Sequence, residues 1–286
     1  MAEVSETTRN RRKDWYPEAR PDAPPIWKWP PRPLAIVKFI FGNPGYLFPW
    51  NVMFAGIAIV TWLYTQPELS RMAEFEIGWI AHIFVRNLVL MVLFYGGLHL
   101  WLYTFKGQGE KFKFHPKWWG EKKPRFLFGS QMIDNIIWSV ASGCTIWSAY
   151  EVIMIWSYAN GHLSMITWDA QPLHFALLLF VLVLWQTIHF YFVHRALHWP
   201  WLYKSAHYVH HKNVNTGPWT GLAMHPIEHV IFFSVVLLYW VVPSHPIHAM
   251  FTLQVAALMS GVGHIGFDKI VVKGGIQFPS DFFHYL

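Results

Sequence analysis

The side chains of this sequence best suited to chemistry are its 17 histidines, many of which lie close together in the chain. Three groups have helical spacing: His194 with His198, then His207 with His210 and His211, then His225 with His229. Residues three or four positions apart share one face of a helix. Neutral imidazole binds iron, zinc, copper and nickel. The spacing therefore predicts a metal site built from these histidine groups.

In a membrane protein, histidines can also serve as polar anchors at the membrane surface. That role accounts for the scattered positions His82, His99, His115, His162, His174, His245 and His248. It does not require fixed helical registers, and interfacial anchoring relies on Trp, Tyr, Lys and Arg. His189 precedes His194 by five residues, about 140° around a regular helix. We expect His189 to face away from the His194 pair unless the helix contains a π-bulge.

The composition narrows the class of protein further. Hydrophobic residues make up 54% and charged residues 13% of the chain, against about 25% charged residues in a soluble domain. With 22 Lys+Arg and 16 Asp+Glu, the charge gives little support to a nucleic-acid partner, and we predict none. The single cysteine, Cys144, excludes an internal disulfide and a cysteine-ligated metal cluster. A membrane protein rich in imidazole is what remains.

Apolar stretches supply the elements that must position these histidines. A spanning helix needs about 20 apolar residues. Four long stretches qualify: Tyr46–Thr65, Ile77–Phe105, Ile133–Tyr158 and Leu173–Val193. Two shorter ones, Pro226–Val242 and Pro246–Gly263, are predicted to form a helical hairpin. The predicted fold is an all-α, multi-pass transmembrane bundle of four long spans plus this hairpin, with a histidine-rich cap.

The distribution of positive charge predicts the orientation. The segment up to Arg32 carries seven Lys/Arg, and Lys106–Arg125 carries seven more. Because positively charged loops stay in the cytoplasm, we expect both termini, the loop 106–132 and the histidine cap on that side. The membrane would be a bacterial inner membrane or the endoplasmic reticulum. Three regions follow: an interfacial segment 1–45, spans within 46–172, and a histidine-box domain 173–286.

The order of the histidine groups resembles the membrane fatty acid hydroxylase / sterol desaturase superfamily. The matching elements are His194–His198, His207–His211, His225–Glu228 and His264-Ile-Gly-Phe-Asp268. The resemblance covers about Leu173 to the end of the chain. It implies a helical membrane oxygenase with a cytosolic, histidine-ligated di-metal centre. Such enzymes take electrons from a carrier protein and use O₂ on a lipid C–H bond.

The resemblance also implies a set of site residues and partners. The metal ligands would be His194, His198, His207, His210, His211, His225, His264 and His284. Supporting residues around them would be Glu228, His229, Asp268 and Arg195. The cofactor would be two non-haem irons, with no separate catalytic side chain. The expected activity is hydroxylation or desaturation of a fatty acyl, sterol or related lipid in the bilayer. A ferredoxin-like or cytochrome b5-like protein would donate electrons.

Other classes of function fit the residues less well. Carboxylate-bridged di-iron bundles use Glu and Glu-x-x-His ligands, but Glu228 is the only acid between Thr187 and Gly263. A bis-histidine haem protein has no use for an H-x-x-H-H group. A zinc hydrolase favours H-E-x-x-H, which the sequence lacks. A non-catalytic accessory subunit that keeps the hydroxylase fold remains an alternative.

The end of the sequence gives the first prediction. The superfamily ends its ligand set with another H-x-x-H-H box, which here begins at His284 and stops at Leu286. We therefore expect the domain 173–286 to be incomplete and the full-length protein to continue with two consecutive histidines. The intact mass from the native source should exceed 33.6 kDa. A mass equal to that value would favour the accessory-subunit interpretation.

Overall fold

A computed structural model of the protein describes residues 24–120, 122–272 and 277–280. Residues 1–23 of the predicted N-terminal segment and the predicted ligand His284 lie outside this described part. The helices are α1 (Pro33–Phe41), α2 (Trp50–Thr65), α3 (Ile77–Thr104), α4 (Gln131–Ala159), α5 (Pro172–Leu197), α6 (200–211), α7 (Pro226–Trp240) and α8 (Pro246–Gly263). Single-turn helices occur at Pro25–Trp27, Leu69–Met72, Leu127–Gly129 and Pro218–Thr220. The predicted helical membrane fold is confirmed.

Among the residues that the structure describes, four helices are long and apolar enough to cross a membrane: α3, α4, α5 and α8. Their identity differs in one place from the prediction. The first apolar stretch becomes a shorter helix, Trp50–Thr65, because Pro49 lies near its start and proline disfavours a helical residue before it. The fourth candidate span is instead Pro246–Gly263, which was predicted as half of a short hairpin.

Two short strands follow the last long helix. Strand β1 (Lys269–Val271) pairs antiparallel with β2 (Gln277–Pro279), and Ile270 is opposite Phe278. The all-α prediction did not include this hairpin. Strands of three residues are too short to show the alternating pattern on which a strand prediction rests.

Several helices contain wider, π-helical turns, at Thr61–Thr65, Leu100–Thr104, Ser139–Cys144 and Tyr203–His207. Helix α7 ends in a tighter 3₁₀ segment, Ser234–Trp240. Such irregular turns are frequent at functional sites. The turn at Tyr203–His207 carries one of the predicted metal ligands.

Helix α8 forms the centre of the bundle. In the most apolar 18-residue stretch of α8, 89% of the residues are buried inside the protein, compared with 22% in the corresponding stretch of α5. It packs against α2, α4 and α5, while α5 exposes most of its surface. Apolar surface of this kind faces lipid when a helix crosses a bilayer. The chain is thus a membrane protein in which a central helix ends at His264, beside the histidine-rich region.

A buried polar network joins α3 to α4. The Arg86 guanidinium contacts the Glu151 carboxylate and donates to Gln66 Oε1 at 2.8 Å. Asn87 Nδ2 donates to Glu151 Oε2 at 2.9 Å and lies 3.2 Å from Ser148 Oγ. Charged side chains within a membrane are tolerated when they pair inside the protein, and this network provides that pairing.

The turn before α7 approaches α8 so closely that it leaves no room for a side chain. A Cβ on Gly221 would collide with the Ser260 carbonyl and lie 2.6 Å from the Gly261 backbone nitrogen. Gly221 thus sets the distance between the 218–221 turn and the helix that leads to His264.

We predict that Gly221→Ala destabilises the protein by about 1–3 kcal/mol, the usual cost of overpacking a close-packed site. Gly97→Ala is the matched control, because a Cβ there meets nothing within 4 Å and alanine favours helix. Unfolding in detergent should show a lower midpoint for Gly221→Ala only. Equal stability of the two variants would contradict this account of the packing.

Candidate metal centre

Four histidines from two consecutive helices meet at one point. His194 lies on the last turn of α5 and His198 caps that helix, while His207 and His211 lie on α6. One nitrogen from each of these rings falls within 4.8 Å of the other three. Pro200 starts α6 directly after α5 ends, and proline is suited to a first helical position. The resulting bend brings the two histidine pairs face to face. We call this group the four-histidine cluster.

The nitrogen separations suit a shared ion. Nε2 of His194 and Nε2 of His198 are 3.1 Å apart, and those of His207 and His211 are 2.9 Å apart. At metal–nitrogen distances of about 2.1 Å, neighbouring ligands of an octahedral ion lie about 3.0 Å apart. The four-histidine cluster therefore fits a transition metal in both ligand type and spacing.

A second histidine pair lies beside the first cluster. His210 Nε2 is 3.2 Å from His264 Nε2, at the end of α8. The rings of His207 and His210 have centroids 5.8 Å apart, so the two sites are adjacent. His264 Nδ1 lies 2.8 Å from the Ser260 carbonyl oxygen, to which it can donate. We call His210 and His264 the second pair.

The H-x-x-H-H group is thus divided between two sites. Successive residues of a helix are about 100° apart, so His210 and His211 point in different directions. His211 returns to the face of His207, whereas His210 turns toward α8. Their spacing predicted one shared helix face for all three histidines, and the structure shows that His210 departs from that face.

A buried carboxylate orients one ligand. His207 Nδ1 lies 2.7 Å from Glu228 Oε1, at the start of α7. Both residues are buried. A proton held on Nδ1 by this contact leaves the Nε2 lone pair of His207 available to a metal.

Burial keeps the imidazoles uncharged. It lowers the pKa of His207 and that of His211 to about 4, with added repulsion from neighbouring histidines, and it lowers the pKa of His210 further. At neutral pH these rings are therefore neutral, as metal binding requires. Burial also raises the pKa of Glu228 to about 8. The charged form of this carboxyl is favoured only when positive charge lies close by, which a bound cation would supply.

Other predicted ligands and supporting residues lie apart from the four-histidine cluster. His225 caps α7, and its Nδ1 accepts from the Ile227 backbone N–H at 3.3 Å. His229 is buried beneath α4, with Nδ1 2.8 Å from Ser142 Oγ. Arg195 Nη1 is 3.3 Å from the Tyr191 hydroxyl. In the structure, His225 therefore caps a helix and is not part of the four-histidine cluster.

Two further residues have contacts elsewhere. The Asp268 carboxylate lies 3.8 Å from Lys269 Nζ, beside strand β1. His189 Nε2 lies 3.0 Å from Ser234 Oγ on α7, on a different side of α5 from the four-histidine cluster.

The histidines open into a cavity that the sequence analysis did not identify. It has a volume of about 270 Å³ and lies between α5, α7 and α8. Its walls are mostly apolar and include Phe190, Leu197 and Phe232, with His194, His210 and His264 at one end. The wall residues on α5 recur at helical spacing, which is a usable sequence signal. The same spacing is common to any buried helix face, and so it does not indicate a cavity by itself.

Comparison with known proteins agrees with this geometry. Residues 179–285 match the family described as fatty acid hydroxylase. A Delta(7)-sterol 5(6)-desaturase of Candida dubliniensis is 29% identical over 107 residues, covering 35% of this chain and 26% of that protein. The Candida albicans enzyme of the same name gives the same figures. The corresponding protein of Aspergillus fumigatus is 32% identical over 87 residues, 30% of this chain and 22% of its own length.

The match to these curated relatives spans about a quarter of their length. No solved structure matches the chain significantly. The part of the chain that matches the fatty acid hydroxylase family, residues 179–285, contains all of the four-histidine cluster and the second pair.

We predict that His207→Ala weakens metal binding by at least about 10-fold, since the loss of even a supporting contact costs that much. His225→Ala is the control, because the structure places His225 at a helix cap. Metal content per protein, measured by mass spectrometry of the purified variants, should fall for His207→Ala alone. Full metal content in His207→Ala, or equal loss in both variants, would contradict the assignment.

Proposed function

Through residues 179–285, this chain belongs to the membrane fatty acid hydroxylase/sterol desaturase superfamily, and on that premise we propose that it is an O₂-dependent enzyme that hydroxylates or desaturates a lipid. The observation that carries the proposal is the position of the histidines. His194 of the four-histidine cluster and both histidines of the second pair line one mostly apolar cavity. A metal held there would face a bound hydrocarbon.

We propose two irons as the cofactor. His194, His198, His207 and His211 would hold one ion. His210 and His264 would hold the other, with His284 as a further ligand expected from the sequence alone. Bound iron would supply the oxidation chemistry, which amino-acid side chains cannot perform.

The protein's own groups keep the ligand nitrogens correctly directed. Glu228 holds a proton at His207 Nδ1, and the Ser260 carbonyl accepts one from His264 Nδ1. In each ring Nε2 is then left as the metal-binding atom. Loss of either acceptor would allow the ring to rotate or to change tautomer.

The cavity supports a lipid as the substrate. Phe190, Leu197 and Phe232 provide apolar walls that favour a hydrocarbon and exclude water from the reacting end. Helix α5, which forms one wall, is also the helix with the most outward-facing surface among the candidate spans. A lipid could therefore reach the cavity from the bilayer.

The basic loop after α3 supports the proposed cytoplasmic orientation. The Phe114 backbone N–H donates to the Gly266 carbonyl at 3.0 Å, and Lys113 pairs with Phe267 in a short bridge. This loop thus lies on the same side as His264. Because Lys106–Arg125 carries seven Lys/Arg, the positive-inside rule supports a cytoplasmic position for both the loop and His264. We propose that an acidic ferredoxin-like or cytochrome b5-like electron donor docks on this face.

The test is O₂ consumption by the iron-loaded protein with an artificial reductant and three probe lipids: a long-chain fatty acid, an acyl phospholipid and a sterol. At least one lipid should be converted, and ¹⁸O from ¹⁸O₂ should enter the product only if the reaction is hydroxylation. His194→Ala should reduce turnover by at least about 100-fold, since its imidazole belongs to the metal set. His162→Ala should retain activity.

An iron-loaded protein that converts none of these lipids would contradict the enzyme proposal and favour the accessory subunit.

A further inference from the structure

One amide side chain lines the cavity about two helical turns before His194 on α5. Gln186 lines the cavity on α5 and is only 3% exposed. It lies on the same helix face as Phe190, Val193, His194 and Leu197, at spacings of four, seven, eight and eleven residues. Gln186 and His194 are therefore separated by about 12 Å along the helix axis.

The Gln186 amide has no hydrogen-bond partner among the residues that the structure describes. Two nearby hydroxyls, by contrast, are bonded within their own helices: Ser260 Oγ donates to the Ala256 carbonyl at 2.8 Å, and Thr187 Oγ1 donates to the Val183 carbonyl at 3.0 Å. A buried amide without a partner is unfavourable, and a leucine would complete the apolar wall without that cost. A polar residue facing a cavity inside a membrane helix is by default a candidate for function.

The size of the cavity limits what can reach this amide. At about 270 Å³, the cavity is close to the lower limit of about 300 Å³ for ligand pockets. It can therefore hold part of a lipid, with the remainder outside in the bilayer. The amide and the histidines would then contact two points of the same enclosed segment.

We propose that Gln186 hydrogen-bonds an uncharged oxygen of the lipid substrate, a hydroxyl or a carbonyl, about 12 Å from the carbon that reaches the histidines. The inference rests on the proposed function and adds the substrate class to it. An amide can donate to a carbonyl and can accept from a hydroxyl. The lining of the cavity includes no Lys or Arg, so a carboxylate has no counter-charge there. The substrate is a neutral oxygenated lipid, and Gln186 determines which carbon reaches the metal site.

The first measurement is lipid binding by the purified protein in detergent. Binding is monitored through the increase in the protein's thermal unfolding temperature. The probes are octadecanol, octadecane and octadecanoate. The wild type should bind octadecanol about 3- to 10-fold more tightly than octadecane, the range that one buried hydrogen bond provides. Gln186→Leu should remove this preference without weakening octadecane binding. Thr187→Val is the matched control and should keep the preference, because Thr187 bonds only within its own helix.

Gln186→Met serves as a second variant of similar size, so that the result does not depend on one substitution folding well. An unchanged preference for octadecanol in either folded variant would overturn the inference. Tightest binding of octadecanoate by the wild type would also overturn it.

A second measurement separates this inference from the proposed function. In the iron-loaded enzyme, products from oxygenated lipids should spread over more carbon positions in Gln186→Leu than in the wild type. A Gln186-dependent binding preference in a protein that consumes no O₂ would support the inference and contradict the proposed function. Lipid conversion with the same product positions in both proteins would support the function and overturn the inference.

Discussion

Four imidazole nitrogens that face one another impose requirements on everything around them. Each ring must be uncharged, since protonated rings at 3 Å would repel one another, and each must direct Nε2 inward. Burial serves the first requirement at His207 and His211 by lowering the pKa of each ring. A contact at Nδ1 serves the second requirement for His207, through Glu228, and the Ser260 carbonyl plays the same part for His264 of the second pair. The chemistry therefore depends on neighbours that bind no metal themselves.

The helices supply this environment by bringing their ends together. Helix α8 passes through the centre of the bundle and delivers His264, while α5 delivers His194 from the periphery. The close approach of Gly221 to α8 holds the segment leading into α7, which carries Glu228. A central helix with contacts on most sides has little freedom to move. The histidines are consequently held by rigid elements, as the proposed reaction at a lipid C–H bond would require.

Sequence spacing located the histidines well because side chains one turn apart on a helix are neighbours whatever surrounds them. It could not divide His210 from His211, since that division depends on where α8 lies relative to α6. It could not separate His225 from the cluster, because the same spacing serves a ligand and a helix cap equally. The cavity and the unpartnered amide of Gln186 arise from packing among α5, α7 and α8, and no local pattern records such packing.

The buried pair of Arg86 and Glu151 has a consequence for the way the chain enters the membrane. The two residues are 65 positions apart, so α3 leaves the ribosome well before its partner in α4 exists. An unpaired arginine at the centre of a membrane helix costs about 2.5–3.5 kcal/mol on insertion. Insertion of α3 is therefore more favourable once α4 accompanies it. The two helices are best regarded as a single unit of membrane insertion.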